Sequence, residues 1–432
     1  GTIQNLLSVT LNNWIKFPDI KDINLASDLL KTTPKRFENI KNIQNFYLHC
    51  YYDSQKIDIE FKKLISNPSV DYSRYYFFYS NFYFNKKKYN KSQEILNTAI
   101  QLHPRNLILN QFKHDMIQKN NISDKFDCKN LQNITAEIFF IIANALAIQN
   151  NYSESNFYLN IAKYLNPSFK SFDALNASNF YRMEKYELSK KLYNNLKDGG
   201  KFYDWYASKK ISSILVKQEK NDQGINVLRQ SFKKIDTPSI YELFDFAEFL
   251  KNNEKYKDSI ELYKEVLKKI SKNHFMYAEV ENGLGIAHER TGHWKKAEKN
   301  FKNSLSVSPD DAYVINYLAY SWIEQGINVE ESLLMLKKAN NLRPNDGYIT
   351  DSLGWALFKL NKYSEAQKYL ERAVIFMASD PVINDHYADS LWMTNKKLQA
   401  RYYWRYVLNL EKTEDELKKI IRQKLLFGLN KI

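Results

Sequence analysis

Two short stretches of this sequence carry residue types that do chemistry in other proteins. The first is His288-Glu289-Arg290-Thr291-Gly292-His293. Two imidazoles and a carboxylate hold zinc when the histidines stand four apart on one helix face, as in H-E-x-x-H. Here they stand five apart and Gly292 ends the helix. The rings are therefore expected on different faces, and no metal is expected. The second stretch is Gly283-Leu284-Gly285, which lies inside a helical run with no strand before it. Small residues for packing account for it better than a phosphate loop does. The seven histidines are scattered, and none pairs with Cys, Ser or Asp in a recognisable catalytic order. Cys50 and Cys128 are far apart in sequence, and they read as neither a disulfide framework nor a metal site. No catalytic residue and no cofactor is expected.

What remains is recognition without covalent chemistry. Asn282 and Ile286, Asn316 and Tyr320, Asp351 and Trp355, Asp385 and Asp389 recur at nearly constant spacing. Three carboxylates, two amides and two aromatics then share one surface. Asn bonds a peptide N–H and C=O together, and aromatics add contact area. In the first half, Phe77, Asn81, Phe140 and Asn144 hold equivalent places. These residues are expected to line a groove for a segment of another protein.

Such a row needs a repeating scaffold. Residues 351–373 read as two short amphipathic helices with a tight turn at Asn361-Lys362. Gly354, Ala366 and Ala373 sit where the helix axes must approach closely. The small position of the first helix recurs as Ser80, Ala143, Ala177, Ser212, Ala247, Gly285, Ala319, Gly354 and Ala388. That of the second recurs as Ser92, Ser155, Ser189, Gly224, Ser259, Ala297, Ser332, Ala366 and Ala400, with an aromatic residue or Leu four later. Pro104, Pro167, Pro309 and Pro344 close units. Residues three before and one after the first small position point away from the second helix, which selects the row above.

A period near 34 residues is that of tetratricopeptide repeats. One unit cannot bury its own apolar face, so units stack. The expected fold is all-α, a right-handed superhelical solenoid of nine to ten antiparallel helix pairs. Degenerate helical repeats are expected over 1–70, with Pro18 and Pro34 as breaks and an array cut inside a longer one. A divergent array follows over 71–272, with an irregular insert at 105–131 whose helix spans 107–119 and which bulges from the stack. A regular array covers 273–412. Residues 413–432 form a capping helix with Lys418, Lys419, Arg422 and Lys424 on its solvated face.

The chain carries a formal net charge of +14. Residues 240–412 sum to zero and 413–432 to +2, so the remaining +12 lies on 1–239. A basic half invites nucleic acid or anionic membrane. The lysines are dispersed, however, and a solvated surface is the simpler reading. The longest apolar run, Ile138 to Ile148, has eleven residues, against about 20 for a membrane span. No transmembrane segment is expected and no signal peptide is visible.

The C-terminal third resembles a group of Gram-negative bacterial tetratricopeptide repeat proteins. The resemblance is carried by Tyr317 to Gly326, Asn345 to Lys359 and Asp380 to Trp392. It implies an envelope scaffold, similar to adaptor lipoproteins that present substrates to a processing protease. A periplasmic or lipid-anchored location follows from the resemblance alone, with the cytoplasm as the alternative. The expected function is a non-catalytic protein-binding scaffold or adaptor that holds an extended or helical segment. The other readings are RNA or polyanion binding by the basic half, and the regulatory part of a larger enzyme.

Overall fold

A computed structural model describes residues 2–33, 37–118 and 121–429. Pro34 and Lys119 lie outside the described residues. The chain divides into two compact units, residues 1–238 and 239–432. The division falls at Pro238, where a proline cannot continue a helix. Ser239 starts the next helix with a capping box closed by Glu242. This lies one helix pair before the boundary read from the longer loop near residue 272.

The first unit contains α1 (Thr2–Lys16), α2 (Ile23–Leu30), α3 (Glu38–Tyr51), α4 (Ile57–Leu64), α5 (Ser73–Asn85), α6 (Tyr89–Leu102), α7 (Leu107–Gln118), α8 (Leu131–Ile148), α9 (Tyr152–Leu165), α10 (Lys170–Arg182), α11 (Tyr186–Lys197), α12 (Lys201–Lys217) and α13 (Asn221–Lys233). The second contains α14 (Ile240–Asn252), α15 (Tyr256–Lys269), α16 (Tyr277–Arg290), α17 (Trp294–Val307), α18 (Ala312–Gln325), α19 (Val329–Leu342), α20 (Gly347–Lys359), α21 (Tyr363–Phe376), α22 (Pro381–Met393), α23 (Lys397–Asn409) and α24 (Asp415–Phe427). No strand occurs among the described residues.

The small positions are where paired helices cross. A Cβ on Gly354 would stand 2.7 Å from Leu370 Cγ, and one on Gly285 would stand 2.6 Å from Phe301. Ser155 Oγ donates to the Ala143 carbonyl at 2.7 Å, and Ser189 Oγ to that of Ala177 at 2.8 Å. At these two crossings the hydroxyl satisfies itself in the same contact, whereas those of Ser212 and Ser332 are buried with no hydrogen-bond partner among the described residues. Seven residues after each first small position the chain turns left-handed. Lys87, Asn150, Glu184, Glu219, Glu254, Asn361 and Asn395 have φ between 59° and 64°, and Gly292 and Gly326 fill the other two places. This turn reverses the chain between the helices of a pair.

The insert does not bulge out. Helix α7 packs against α5, α6 and α12, and the segment after it folds onto the same surface. Phe126 buries its ring 4.5 Å from that of Phe78, and its carbonyl accepts from Asn81 Nδ2 at 2.6 Å. Asp124 accepts from Lys170 N at 2.8 Å and from Tyr203 Oη at 2.6 Å. Burial pushes its carboxyl up to about 6, with Tyr203 and Arg74 opposing. Cys128 is disulfide-bonded to Cys50 of α3, 78 residues away in sequence. The reading of the two cysteines as no disulfide framework is thereby corrected: the stack folds the insert back onto α3.

Helix α8 is longer than the eleven-residue run suggested. It is the one described helix long and apolar enough, by length and composition, to cross a membrane. Here it is the first helix of the α8–α9 pair and carries the buried Glu137.

Candidate partner-binding groove

In the second unit the first helices α16, α18, α20 and α22 line a cleft of about 570 Å³. Of the expected groove residues, Asn316, Tyr320 and Asp351 line it. Asn316 keeps a buried Oδ1 with no hydrogen-bond partner among the described residues. Tyr320 is held protonated by burial and by the carboxylates of Glu324 and Asp351. It therefore stays a donor.

The stripe runs one helical turn further in both directions than the sequence positions chosen for it. Tyr348 and Val382 lie six residues before the small position. Glu289, Arg290 and Glu324 lie four or five after it. Continuing the 3.6-residue period from −3 and +1 would have found them. Four lining carboxylates, Glu289, Glu324, Asp351 and Asp380, face one lining cation, Arg290. Tyr317 Oη donates to Glu289 at 3.0 Å, and burial and that carboxylate push its phenol up to about 12. Asp380 caps α22 by accepting from Val382 N and Ile383 N.

Trp355 stands behind the cleft rather than in its lining. Its Nε1 donates to Glu324 at 2.6 Å. Its ring stacks on His386 at 3.9 Å and on Phe358 at 4.9 Å. His386 in turn holds Asp351, with Nδ1 3.0 and 3.1 Å from its two oxygens. Burial works against the imidazolium. Asp351, then Asp385 and Asp389, outweigh it and raise the His386 pKa above its ordinary value.

Asp385 and Asp389 do not open onto the cleft. They are buried and clasp Lys424 of α24. Lys424, read as part of the cap's solvated face, points inward. Asn282 is half-buried on α16 outside the lining.

In the first unit the equivalent surface is filled. Phe77 is fully buried against Phe112 of α7 and Phe169. Asn81 is spent on the insert. The Arg74 guanidinium lies 3.8 Å from the Phe140 ring centroid. Asn144 alone of these is exposed. A second cleft of about 580 Å³ lies between α6 and α7, mainly apolar and lined by Phe84, Leu96, Met116 and Ile117 with Lys113. Of the inner-face stripe it includes Phe84, four residues after Ser80.

The His288 and His293 rings are only 5.9 Å apart, because the left-handed turn at Gly292 folds His293 back. The expectation of separated rings is corrected. No group of three or more metal-ligating side chains occurs among the described residues. Burial, then Lys296, lower the His288 pKa to about 4.

Residues 182–413, more than half of the chain, match a tetratricopeptide repeat family model, and residues 73–106 match a second one. A curated relative, the TPR repeat-containing protein PA4667 of Pseudomonas aeruginosa, is 24% identical over 164 residues. That match covers 38% of this chain and only 27% of the relative. Among solved structures, a thermophilic TPR protein of Thermus thermophilus, TTC0263, is 17% identical, with 44% and 100% of the two chains covered and a TM-score of 0.37. The C-terminal part of a TPR repeat-containing protein from Cytophaga hutchinsonii is 15% identical, with 65% and 98% covered and a TM-score of 0.36.

Proposed function

The chain belongs to the tetratricopeptide repeat family, and from that we propose that it is a non-catalytic scaffold or adaptor. In this reading it holds a basic, aromatic-bearing segment of a partner protein in the cleft of residues 239–432. One observation carries the reading: a protein of net charge +14 has a cleft lined by four carboxylates, three tyrosines and a single arginine. Opposite charge steers a lysine- or arginine-bearing segment to the cleft, and the half-buried rings hold it.

The test uses a fluorescent peptide of alternating Lys and Tyr, with a Glu/Tyr peptide as control. Tyr320→Ala is expected to weaken the Lys/Tyr peptide by about 2 kcal/mol through faster dissociation, as for an anchoring ring. Glu324→Gln is expected to slow association and flatten its salt dependence. Equal binding of both peptides, or indifference to both variants, would sink the reading.

An envelope location is proposed with it. The Cys50–Cys128 disulfide supports an oxidising compartment, since such bonds are rare in the cytosol. Thiol labelling after acid quench of cells tests this. Two blocked cysteines are expected, and two freely labelled ones would exclude it.

A further inference from the structure

On α22, Asp385 and Asp389 hold the positions that Asn316 and Tyr320 hold on α18. In place of open space they meet Lys424. Its Nζ lies 2.8 Å from both oxygens of Asp385, and 2.7 and 2.9 Å from those of Asp389. The three residues are 7%, 3% and 6% exposed. Ile421, one turn before Lys424, is fully buried in the same core as Leu391 and Trp404. Leu426 and Phe427, at the end of α24, stay 72% and 57% exposed.

The groups packed there are Asp351 and His386, Asp385 and Asp389, and Lys424, with Trp404 Nε1 donating to Asp389 at 3.0 Å. With His386 protonated they sum to −1 while Asp389 is ionised and to zero when it is protonated, and burial, then Asp385, push the Asp389 carboxyl up to about 7 against Lys424. The ammonium is held by a carboxylate-rich surface. That surface continues into the acidic cleft through Asp351, which lies in both. Helix α24 covers Asp385 and Asp389 of α22, and is tied to α23 by the short connection 410–414.

We propose that this face of α22 is a docking surface for an amphipathic helix of a partner protein bearing Lys three residues after Ile or Leu, and that α24 is its resident self-ligand. The proposal rests on reading the inner face as the recognition surface, and extends it to the last repeat. A partner helix reproduces the Ile421–Lys424 contact and reaches on toward Asp351 and Glu324, which α24 does not pair. It gains contacts that offset the high effective concentration of the tethered α24.

The probe is a fluorescent peptide of residues 413–432, and a second one in which Lys424 is replaced by Gln. Both are titrated into the full-length chain. The Lys424→Gln protein is expected to bind the native peptide at least tenfold more tightly than wild type does, because its own helix no longer competes. The substituted peptide is expected to bind neither. Asp385→Asn with Asp389→Asn is expected to remove binding.

Hydrogen exchange on the wild-type protein is the second measurement. Amides of 415–427 are expected to exchange faster than those of α22, and faster still with native peptide present. Equal protection of α24 and α22 would overturn the proposal. So would equal affinities of wild type and Lys424→Gln. A concentration-dependent dimer formed by exchange of α24 would also overturn it, since the occupant would then be a second copy. If the Lys/Tyr peptide still binds the cleft in any of these cases, the groove reading stands and only this extension falls.

Discussion

The same repeat position is used in opposite ways in the two units. Six residues before the first small position stand Arg74 on α5, Glu137 on α8 and Ser171 on α10. Arg74 bonds Glu137 through Nε and Nη2 at 2.7 and 2.8 Å, and Ser171 Oγ through Nη1 at 2.8 Å. This ladder sits in the filled face of the first unit. In the second unit the position holds Tyr348 on α20 and Val382 on α22, and a cleft remains. Repeat geometry thus fixes where side chains stand. Whether the face is a core or a surface depends on what the chain supplies to cover it. The first unit supplies an insert, the second only Lys424 at one end.

The sharpest break in that contrast is Arg74→Met. It leaves Glu137, 1% exposed, as a buried charge without its partner, a loss of about 3–5 kcal/mol. Urea unfolding followed by a probe in the first unit is expected to shift by that much. Binding of the Lys/Tyr peptide is expected to be unchanged. Cys50→Ala with Cys128→Ala comes next. Opening the loop is expected to cost about 2–4 kcal/mol and to raise hydrogen exchange over 121–130. If exchange there does not rise, the disulfide does not hold the insert down.

Gly354→Leu tests the crossing that both units share. Any side chain meets Leu370 at once, and overpacking is expected to cost about 1–3 kcal/mol. Ala366→Leu is expected to act alike. Unchanged midpoints in thermal unfolding for both variants would refute the register.

The open face has a pH signature. The folded pKa of His386 is raised. Its stabilisation is therefore complete below the unfolded value near 6.5 and is lost as pH rises through the folded one. His386→Gln is expected to flatten the pH dependence of stability above about 6.5, and a variant that keeps the wild-type slope would exclude this origin.

The smallest effect has the opposite sign. Glu254→Gly relieves a left-handed non-glycine residue that costs about 1–2 kcal/mol. Part of this is lost to the added freedom of glycine when unfolded. A net gain of about 0.5–1 kcal/mol is expected, and a loss would show that Glu254 is held by more than its backbone.

The repeat register was legible because it is carried by size. Gly354, Ala366 and Leu370 must fit one another within a single helix pair. The left-handed turn was less visible, since Lys, Glu, Asn and Gly all occupy it and no residue type marks it. The fate of the inward carboxylates was not legible at all. Asp351 and Asp385 share a register, yet only a residue 39 positions beyond Asp385 decides that Asp385 is neutralised while the row beside it stays acidic. Cys50 and Cys128 hid for the same reason: an insert breaks the period, and period was the ruler.

The disulfide has a mechanical consequence. It closes a ring across 78 residues of sequence, which at about 3.4 Å per extended residue withholds roughly 260 Å of contour length. Under tension the oxidised chain behaves as a shorter tether with a knot-like bead in its N-terminal third. A machine that draws in one extended strand meets two strands side by side at Cys50. Force–extension curves of oxidised and reduced protein are expected to differ by that length.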